Sequence, residues 1–337
     1  MRVRPFEPGD RASWDSYVRA RAGSSFGQLS GWKTLVEQAY GCESSYWLAE
    51  DDGRVRGVLP LFVRTRRGRA LFSAPGGLLA DDEATAAALL EPARERIARE
   101  GLDYLELRDQ AREWPGLTTS GEHCTLVLDL AGREDDQWKA FGAKLRNQIR
   151  KGQGSGFGVR WGRDQVPAFH RVMLESMRDL GTPLRGRRYF ARALDALERA
   201  DLLVLDLGGR PAGAMFVIEH RETASDPWAS SPRRLRALCP NQVLYWEAIR
   251  HSIARGLRAF DLGRSQWDSG TFQFKVQWGA TPRPLYYQYV AGRGAHLPTL
   301  EDQKRGYDLA VRVWKRLPLW AAGALGERLK RLFPEVV

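Results

Sequence analysis

The residues best suited to chemistry lie between Asp261 and Gly279, where the chain reads DLGRSQWDSGTFQFKVQWG. Lysine is scarce, with 8 Lys against 44 Arg, so Lys275, set between Phe274 and Val276, stands out from an arginine-rich background. A compact ammonium placed beside a carbonyl under attack by an amine stabilises the charge that develops on the oxygen and on the leaving group of an ester or thioester. The competing reading is a surface lysine on a short amphipathic helix. Asp261 stands between Phe260 and Leu262, whose side chains face the other way in a strand. Its carboxylate can then point into a cleft and accept the amine proton or orient the nucleophile. A structural carboxylate bonded to a turn or an arginine fits the same pattern. Arg264 and Ser265 follow at the carboxyl end of this strand, where open α/β sheets hold ligands. They suit a phosphate or carboxylate, with turn stabilisation as the alternative.

Other candidates are spread more widely. Arg146, Arg150 and Lys151 form a basic helix face able to meet an anionic donor or acceptor, or simply to be solvated. Tyr245 and Trp278, with Trp246, can wall a substrate groove or fill a core. Asn241 reads as a helix N-cap and as a polar contact for substrate. His220 and His251 are ordinary members of a strand and a helix, and no Ser-His-Asp arrangement follows from the sequence. Cys42, Cys124 and Cys239 are too few and too scattered for a disulfide framework, and no metal-ligand spacing is present, so we expect free thiols and no metal.

The elements that must position these residues come in two copies. YWLAEDDGRVRGVLPLFV, from Tyr46 to Val63, lines up with LLVLDLGGRPAGAMFVIE, from Leu202 to Glu219. Gly53-Arg54 matches Gly209-Arg210 and Gly57 matches Gly213. Further on, Ile97-Ala98-Arg99 and Leu105-Glu106-Leu107 match Ile253-Ala254-Arg255 and Phe260-Asp261-Leu262. Each copy reads as strand, tight glycine hairpin, strand, then a helix running into another strand. Gly57 and Gly213, inside their strands, predict a bulge or a close backbone approach. In the second copy the spacing predicts helices over 166–180 and 188–200 and strands over 202–207, 212–220 and 233–239. Helix 242–255, strand 259–262, a short helix over 271–277 and strand 285–290 follow.

Between the copies, Trp138, Phe141, Leu145 and Ile149 fall at helical spacing. The glycines at 152, 154, 156 and 158 follow a helix and precede a strand, so they read as a helix cap and linker, not a phosphate-binding turn. The tail LEDQKRGYDLAVRVWKRLPLWAAGALGERLKRLF is basic and amphipathic. It can pack on the second half or touch a membrane surface.

The duplicated hairpin resembles that of the GNAT acyltransferase fold. Several blocks resemble the FemAB-like aminoacyltransferases, in the branch associated with PEP-CTERM/exosortase systems. These are PWASS at 227–231, CPN at 239–241, LYW at 244–246, FDLGRS at 260–265 and FKVQWGA at 274–280, with LRNQIRKG at 145–152 and MRDLGTP at 177–183. The first half carries a weaker likeness at Trp32 and at SAPGG over 73–77. The resemblance implies a mixed α/β (α+β) chain of two tandem GNAT-like domains, over 1–132 and 158–295. A basic helix and glycine-rich linker over 133–157 and a helical tail over 296–337 complete it. It also implies transfer of an aminoacyl or acyl group to an amine of a cell-envelope or exopolysaccharide precursor, with Lys275 as the lysine of the family's Phe-Lys motif.

Family members bind the CoA pyrophosphate with a glycine-rich turn ahead of a helix. Here that turn reads Cys239-Pro240-Asn241-Gln242, with no glycine and a proline lacking its N–H. Aminoacyl-tRNA is therefore the expected donor, with acyl-CoA or acyl carrier protein as alternatives and no required cofactor. The long charged hairpin with which some relatives hold tRNA is absent from the second half.

The 337 residues carry 43% hydrophobic and 28% charged residues, the composition of a globular chain, with a formal charge of +11 and pI near 9.8. That balance favours an anionic partner such as tRNA or CoA, with no DNA expected, although solvated arginines give the same total. No apolar run reaches transmembrane length and the start is not of signal-peptide type, so we expect a cytoplasmic protein, peripheral at the inner face of the membrane if the tail touches it. A non-enzymatic nucleic-acid or membrane binder is the remaining reading.

Overall fold

The computed structural model describes residues 1–64, 69–295, 297 and 307–332. These divide into two compact units: Met1–His123 with Pro284–Gln303 and Arg331–Val337, and Cys124–Arg283 with Lys304–Lys330. The expected linker helix therefore lies inside the second unit, and most of the closing strand inside the first.

The first unit opens with β1 (Arg2–Pro5), α1 (Arg11–Ala20) and α2 (Ser30–Tyr40), then the hairpin β2 (Ser44–Asp51) and β3 (Arg54–Arg64). After β4 (Ala70–Ser73) and β5 (Leu79–Ala80), α3 (Glu83–Glu100) is N-capped by Asp82, whose carboxylate accepts the Thr85 N–H at 2.7 Å. β6 (Tyr104–Gln110) runs parallel to β4, and the strand over Thr281–Ala291 pairs antiparallel with β6. Leu59, Leu61, Leu89, Leu105 and Leu107 form the centre of this unit's core.

In the second unit β7 (Thr118–Asp129) contributes its last six residues. α4 (Glu134–Ala140), α5 (Ala143–Gln153), β8 (Gly158–Trp161), α6 (Val166–Leu180) and α7 (Arg187–Ala196) follow. Next come the hairpin β9 (Ala200–Leu207) and β10 (Arg210–His220), β11 (Thr223–Ser230), α8 (Pro240–Ala254), β12 (Ala259–Gln266) and α9 (Gly270–Val276). The strand order is β7-β12-β11-β10-β9-β8. α5 lays Leu145, Ile149 and Gly152 toward α8. A Cβ on Gly152 would stand 2.5 Å from Val243 and 2.9 Å from the Cys239 carbonyl, so this glycine is a packing residue. Gly154 ends the helix.

The tail forms α10 (Tyr307–Trp314) and α11 (Leu319–Leu332) and packs on the second unit. Arg178 donates to the Leu317 carbonyl at 3.0 Å, and Gly326 approaches the backbone of Leu184 closely enough that a Cβ would lie 2.8 Å from its oxygen. Among the described residues no helix is long and apolar enough to cross a membrane.

Both hairpins turn through two residues of positive φ, Asp52-Gly53 (49° and 72°) and Gly208-Gly209 (58° and 76°), whose twist matches that of the flanking strands. Each register then slips at the interior glycine. Ala49 faces Gly57 but Glu50 faces Val55, while Leu205 faces Gly213 but Asp206 faces Pro211. The duplication is thus carried down to a bulge at the same place in each copy.

One strand differs from its expected position. Arg233–Leu238 is a 3-10 turn, and the strand lies earlier, at Thr223–Ser230. TASDPWAS alternates buried and half-buried residues as a strand should, but Pro227 disguises it. The proline is tolerated because it sits in a bulge: Phe216 faces Trp228 and Ile218 faces Ser225, which sets two residues of β11, Asp226 and Pro227, against the single Val217 of β10.

The two interior glycines give an expected contrast. A Cβ at Gly57 would lie 2.7 Å from Leu89 Cδ1 and 3.0 Å from Thr85 Cγ2, both on α3, whereas at Gly213 the nearest atom, on Leu205, is 3.3 Å away. Gly57→Ala should cost about 1–3 kcal/mol by overpacking. Gly213→Ala should change stability by less than about 1 kcal/mol. Urea unfolding of the two variants measures the difference, and equal losses would mean that the α3 side chains yield and do not set the fit at Gly57.

Candidate active site

The parallel ladder between β11 and β12 has three rungs, Thr223 with Ala259, Ala224 with Phe260 and Ser225 with Asp261, and then ends. The next residue of β11 is Asp226, which is also where the ladder to β10 bulges, so its backbone leaves both neighbours at once. Asp226 is 5% exposed. Its Oδ2 accepts the Tyr245 hydroxyl at 2.5 Å, while Oδ1 is buried without a hydrogen-bond partner. Burial pushes this carboxyl up to about 7, against the opposing pull of Lys275 and of the Tyr245 hydroxyl; Asp261 adds to the rise.

Lys275 is brought in from the other side. α9 is capped by Ser269, whose Oγ accepts the Phe272 N–H at 3.2 Å, and the helix buries Lys275 to 8% exposure. Its Nζ donates to the carbonyls of Gly263 at 2.8 Å and Arg264 at 3.0 Å. Gly263 has φ of +79°, and a Cβ built there would lie 3.8 Å from both Asp226 Oδ1 and Lys275 Nζ. Those are ordinary contact distances, so it is the left-handed backbone, more than the space, that calls for glycine between the carboxylate and the ammonium. Burial lowers the lysine's proton affinity, and Asp226 and Asp261 oppose that.

The other expected residues fall into place around this pair. Asp261 Oδ1 accepts the Thr125 hydroxyl and, at 2.9 Å, the Gly263 N–H, so it braces the turn of its own strand. Arg264 is exposed and gives its carbonyl to Lys275, while Ser265 is 4% exposed with its hydroxyl unpartnered. The buried Cys124 thiol donates to the Ser265 carbonyl at 3.7 Å, and burial raises it, which keeps it protonated and unsuited to attack. Tyr245 is the partner of Asp226 and not a groove wall.

Two expectations are corrected. Trp278 is 1% exposed and packs on Tyr245, Phe141 and Phe274, so it belongs to the core. Asn241 is not the N-cap. Cys239 holds that place at φ of 57°, because the fixed φ of Pro240 suits the first helical position, and Asn241 follows inside the helix with its Oδ1 buried and unpartnered. Arg146, Arg150 and Lys151 remain on α5. Arg146 donates to the Lys139 carbonyl at 3.3 Å, Arg150 donates to Asn147 at 3.2 Å and lies over the Trp138 ring, and Lys151 is exposed. Among the described residues no group of metal-ligating side chains gathers.

Residues 139–276 match the model of the acetyltransferase (GNAT) domain, a span that runs from α4 to the residue after Lys275. That span is a GNAT-type acyltransferase domain. No curated protein matches the sequence. Among solved structures, a crystal structure of FemX superposes with a TM-score of 0.70 at 14% identity, covering 86% of this chain and 97% of that one. The C-terminal domain of a putative lysylphosphatidylglycerol synthetase from Agrobacterium fabrum gives 0.58 at 14% identity, over 85% and 92%. A tandem GNAT protein from the clavulanic acid biosynthesis pathway gives 0.56 at 14%, over 88% and 99%. At these identities the likeness is one of fold, and it covers 85–88% of the chain.

Asp226 escaped the sequence reading, although it immediately precedes the PWASS block. The available signal was an acidic residue at a buried position of an alternating strand, followed by a proline that a bulge would accommodate.

The raised carboxyl has a consequence for stability. A group held above its unfolded value of 3.8 stabilises the fold most below that value, and the contribution is lost as pH rises through about 7. The margin of wild type over Asp226→Asn should therefore shrink between about pH 4 and about pH 7, by an amount with a ceiling on the order of 4 kcal/mol. Thermal unfolding of both proteins across this range tests it, and a margin that grows with pH would contradict a costly ionisation at this position.

Proposed function

We propose that this acyltransferase moves an aminoacyl or acyl group onto an amine of a cell-envelope or exopolysaccharide precursor in the cytoplasm, forming an amide. The observation that carries the reading is Asp226, a buried carboxyl poised near 7 with one oxygen unpartnered, beside the ammonium of Lys275. A general base works best with a pKa near the working pH. The acceptor nitrogen attacks the carbonyl carbon of the donor and the C–N bond forms. The C–O bond of an ester, or the C–S bond of a thioester, then breaks, and the proton lost by the nitrogen passes to Asp226. Lys275, fixed by two carbonyls, offers its remaining N–H to the charge that develops on the carbonyl oxygen and the leaving group. Asp261 and Tyr245 are positioning residues, one for the Gly263 turn and one for the carboxylate.

Aminoacyl-tRNA is the donor we favour. The turn ahead of α8 has Cys239 in the left-handed region and Pro240 without an N–H, so it offers no nest of backbone donors for a pyrophosphate. Arg146, Arg150 and Lys151 on α5, with Arg264, are side-chain cations suited to an anionic donor. The blocks shared with the PEP-CTERM-associated FemAB-like branch support a saccharide or envelope acceptor. An acyl-CoA or acyl carrier protein donor is the second reading, because the matched domain is that of acetyltransferases.

Transfer to an amine acceptor should show a kcat/KM that falls as pH drops below about 7. Asp226→Asn should remove that limb and cost about 10²–10⁴-fold. Lys275→Ala should cost about 10²–10³-fold, and Lys275→Arg should not restore the rate, because a planar guanidinium does not fit a site closed by two carbonyls. Assays run in parallel with charged tRNA and with acyl-CoA assign the donor. Turnover with acyl-CoA alone would overturn the tRNA reading, and full activity in both variants would overturn the site.

A further inference from the structure

The C-terminal helices carry a feature outside this site. α11 buries Ala321, Ala322 and Gly326 toward the second unit. Its opposite side presents Trp320, Ala324 and Arg328, one turn apart and all exposed, with Leu325 beside them. Trp320 is 79% exposed, more than any other large hydrophobic residue described, whereas Trp314, six residues earlier, is 9% exposed in the packed side of the tail. The indole also borders a cavity of about 670 Å³ between α6 and α11, walled by Pro167, Leu174, Pro211 and Leu319, with Arg171 and Arg187 among its lining residues. Exposed Arg312, Lys315 and Arg316 flank α11 on its N-terminal side.

We propose that this face docks the protein on an anionic phospholipid bilayer. A bare indole next to a largely apolar groove that also carries Arg171 and Arg187 matches the boundary between acyl chains and charged headgroups: the ring enters the interface and the guanidinium groups meet phosphates. Charge complementarity selects the anionic surface, since Arg171 and Arg187 outnumber Glu327 in the groove lining and the exposed Arg328 continues the face of Trp320. Nucleic acid accounts for the cations but not for a tryptophan set among aliphatic and proline side chains on a rigid helix. With no described helix able to span a bilayer, the attachment is peripheral and reversible. This inference rests on the tail and the groove alone, independently of donor and acceptor.

The test is co-sedimentation of the full chain with phosphatidylcholine vesicles, with and without about 30% phosphatidylglycerol, a content that supplies a negative surface potential. The expected result is binding to the anionic vesicles only, weakened toward high salt. Trp320→Ala should reduce it about ten-fold or more, and a combined Arg171→Glu and Arg187→Glu variant should abolish it. Trp320→Ala, at an exposed position, should keep the wild-type melting temperature and wild-type turnover of a soluble acceptor. No binding to anionic vesicles, or binding that Trp320→Ala leaves unchanged, overturns the proposal. Retention of the protein by RNA with no vesicle binding overturns it in favour of a nucleic-acid surface.

Discussion

A carboxylate taken out of water must be compensated where it stands, and in the second unit that requirement falls on Asp226. The bulge at Asp226-Pro227 releases the residue from β10 just as its ladder to β12 stops, and the backbone freed there points the side chain inward. Three features keep the arrangement viable. Tyr245 on α8 gives its hydroxyl to one oxygen, Lys275 on α9 supplies opposite charge, and Gly263 on β12 adopts the left-handed turn that presents its carbonyl to that lysine. Each comes from a different element, so β12, α8 and α9 must all be in place before the carboxylate is tolerated.

Duplication sharpens the point. The first unit has the same three-rung parallel ladder, Ala70 with Tyr104, Leu71 with Leu105 and Phe72 with Glu106, so the residue matching Asp226 is Ser73. Its hydroxyl is satisfied locally: it accepts the Arg108 N–H at 2.8 Å and donates to the Ala74 carbonyl at 2.9 Å. Glu106 matches Asp261, but the residue matching Gly263 is Arg108, whose guanidinium pairs with Glu106 and lies over the Phe72 ring. Where the second unit has a glycine beside a raised carboxyl, the first has an arginine paired with a carboxylate. The fold is duplicated, and the buried carboxyl with its neighbouring lysine occurs in the second copy, at positions the first fills differently.

That division explains what could be read from the residues alone. The hairpins, the bulges at Gly57 and Gly213 and the helices over 166–180 and 240–254 follow local rules of period and turn chemistry, and so they were legible. Lys275 stood out by scarcity and by its aromatic neighbour. Its partners did not, because the two carbonyls it binds become available only through the positive φ of Gly263, a backbone choice that no spacing encodes. Asp226 was hidden by Pro227, which argues against a strand unless a bulge is already known. Asn241 lies two residues beyond the true cap, Cys239, because the geometry of Pro240 outranks the capping preference of asparagine.

The same geometry bears on how a transferase without a glycine nest holds charge. Backbone nests stabilise anions at no cost in side-chain ordering, but Pro240 removes that route at the start of α8. In the reaction we propose, the ammonium of Lys275 takes over part of the task, and its bonds to Gly263 and Arg264 pre-order it, so little reorganisation is left for the moment of reaction. Burial weakens the lysine's hold on its proton, yet Asp226 and Asp261 draw it back toward the charged form. The ammonium and the carboxyl therefore set each other's protonation, and a change at either one has to appear in the titration of the other.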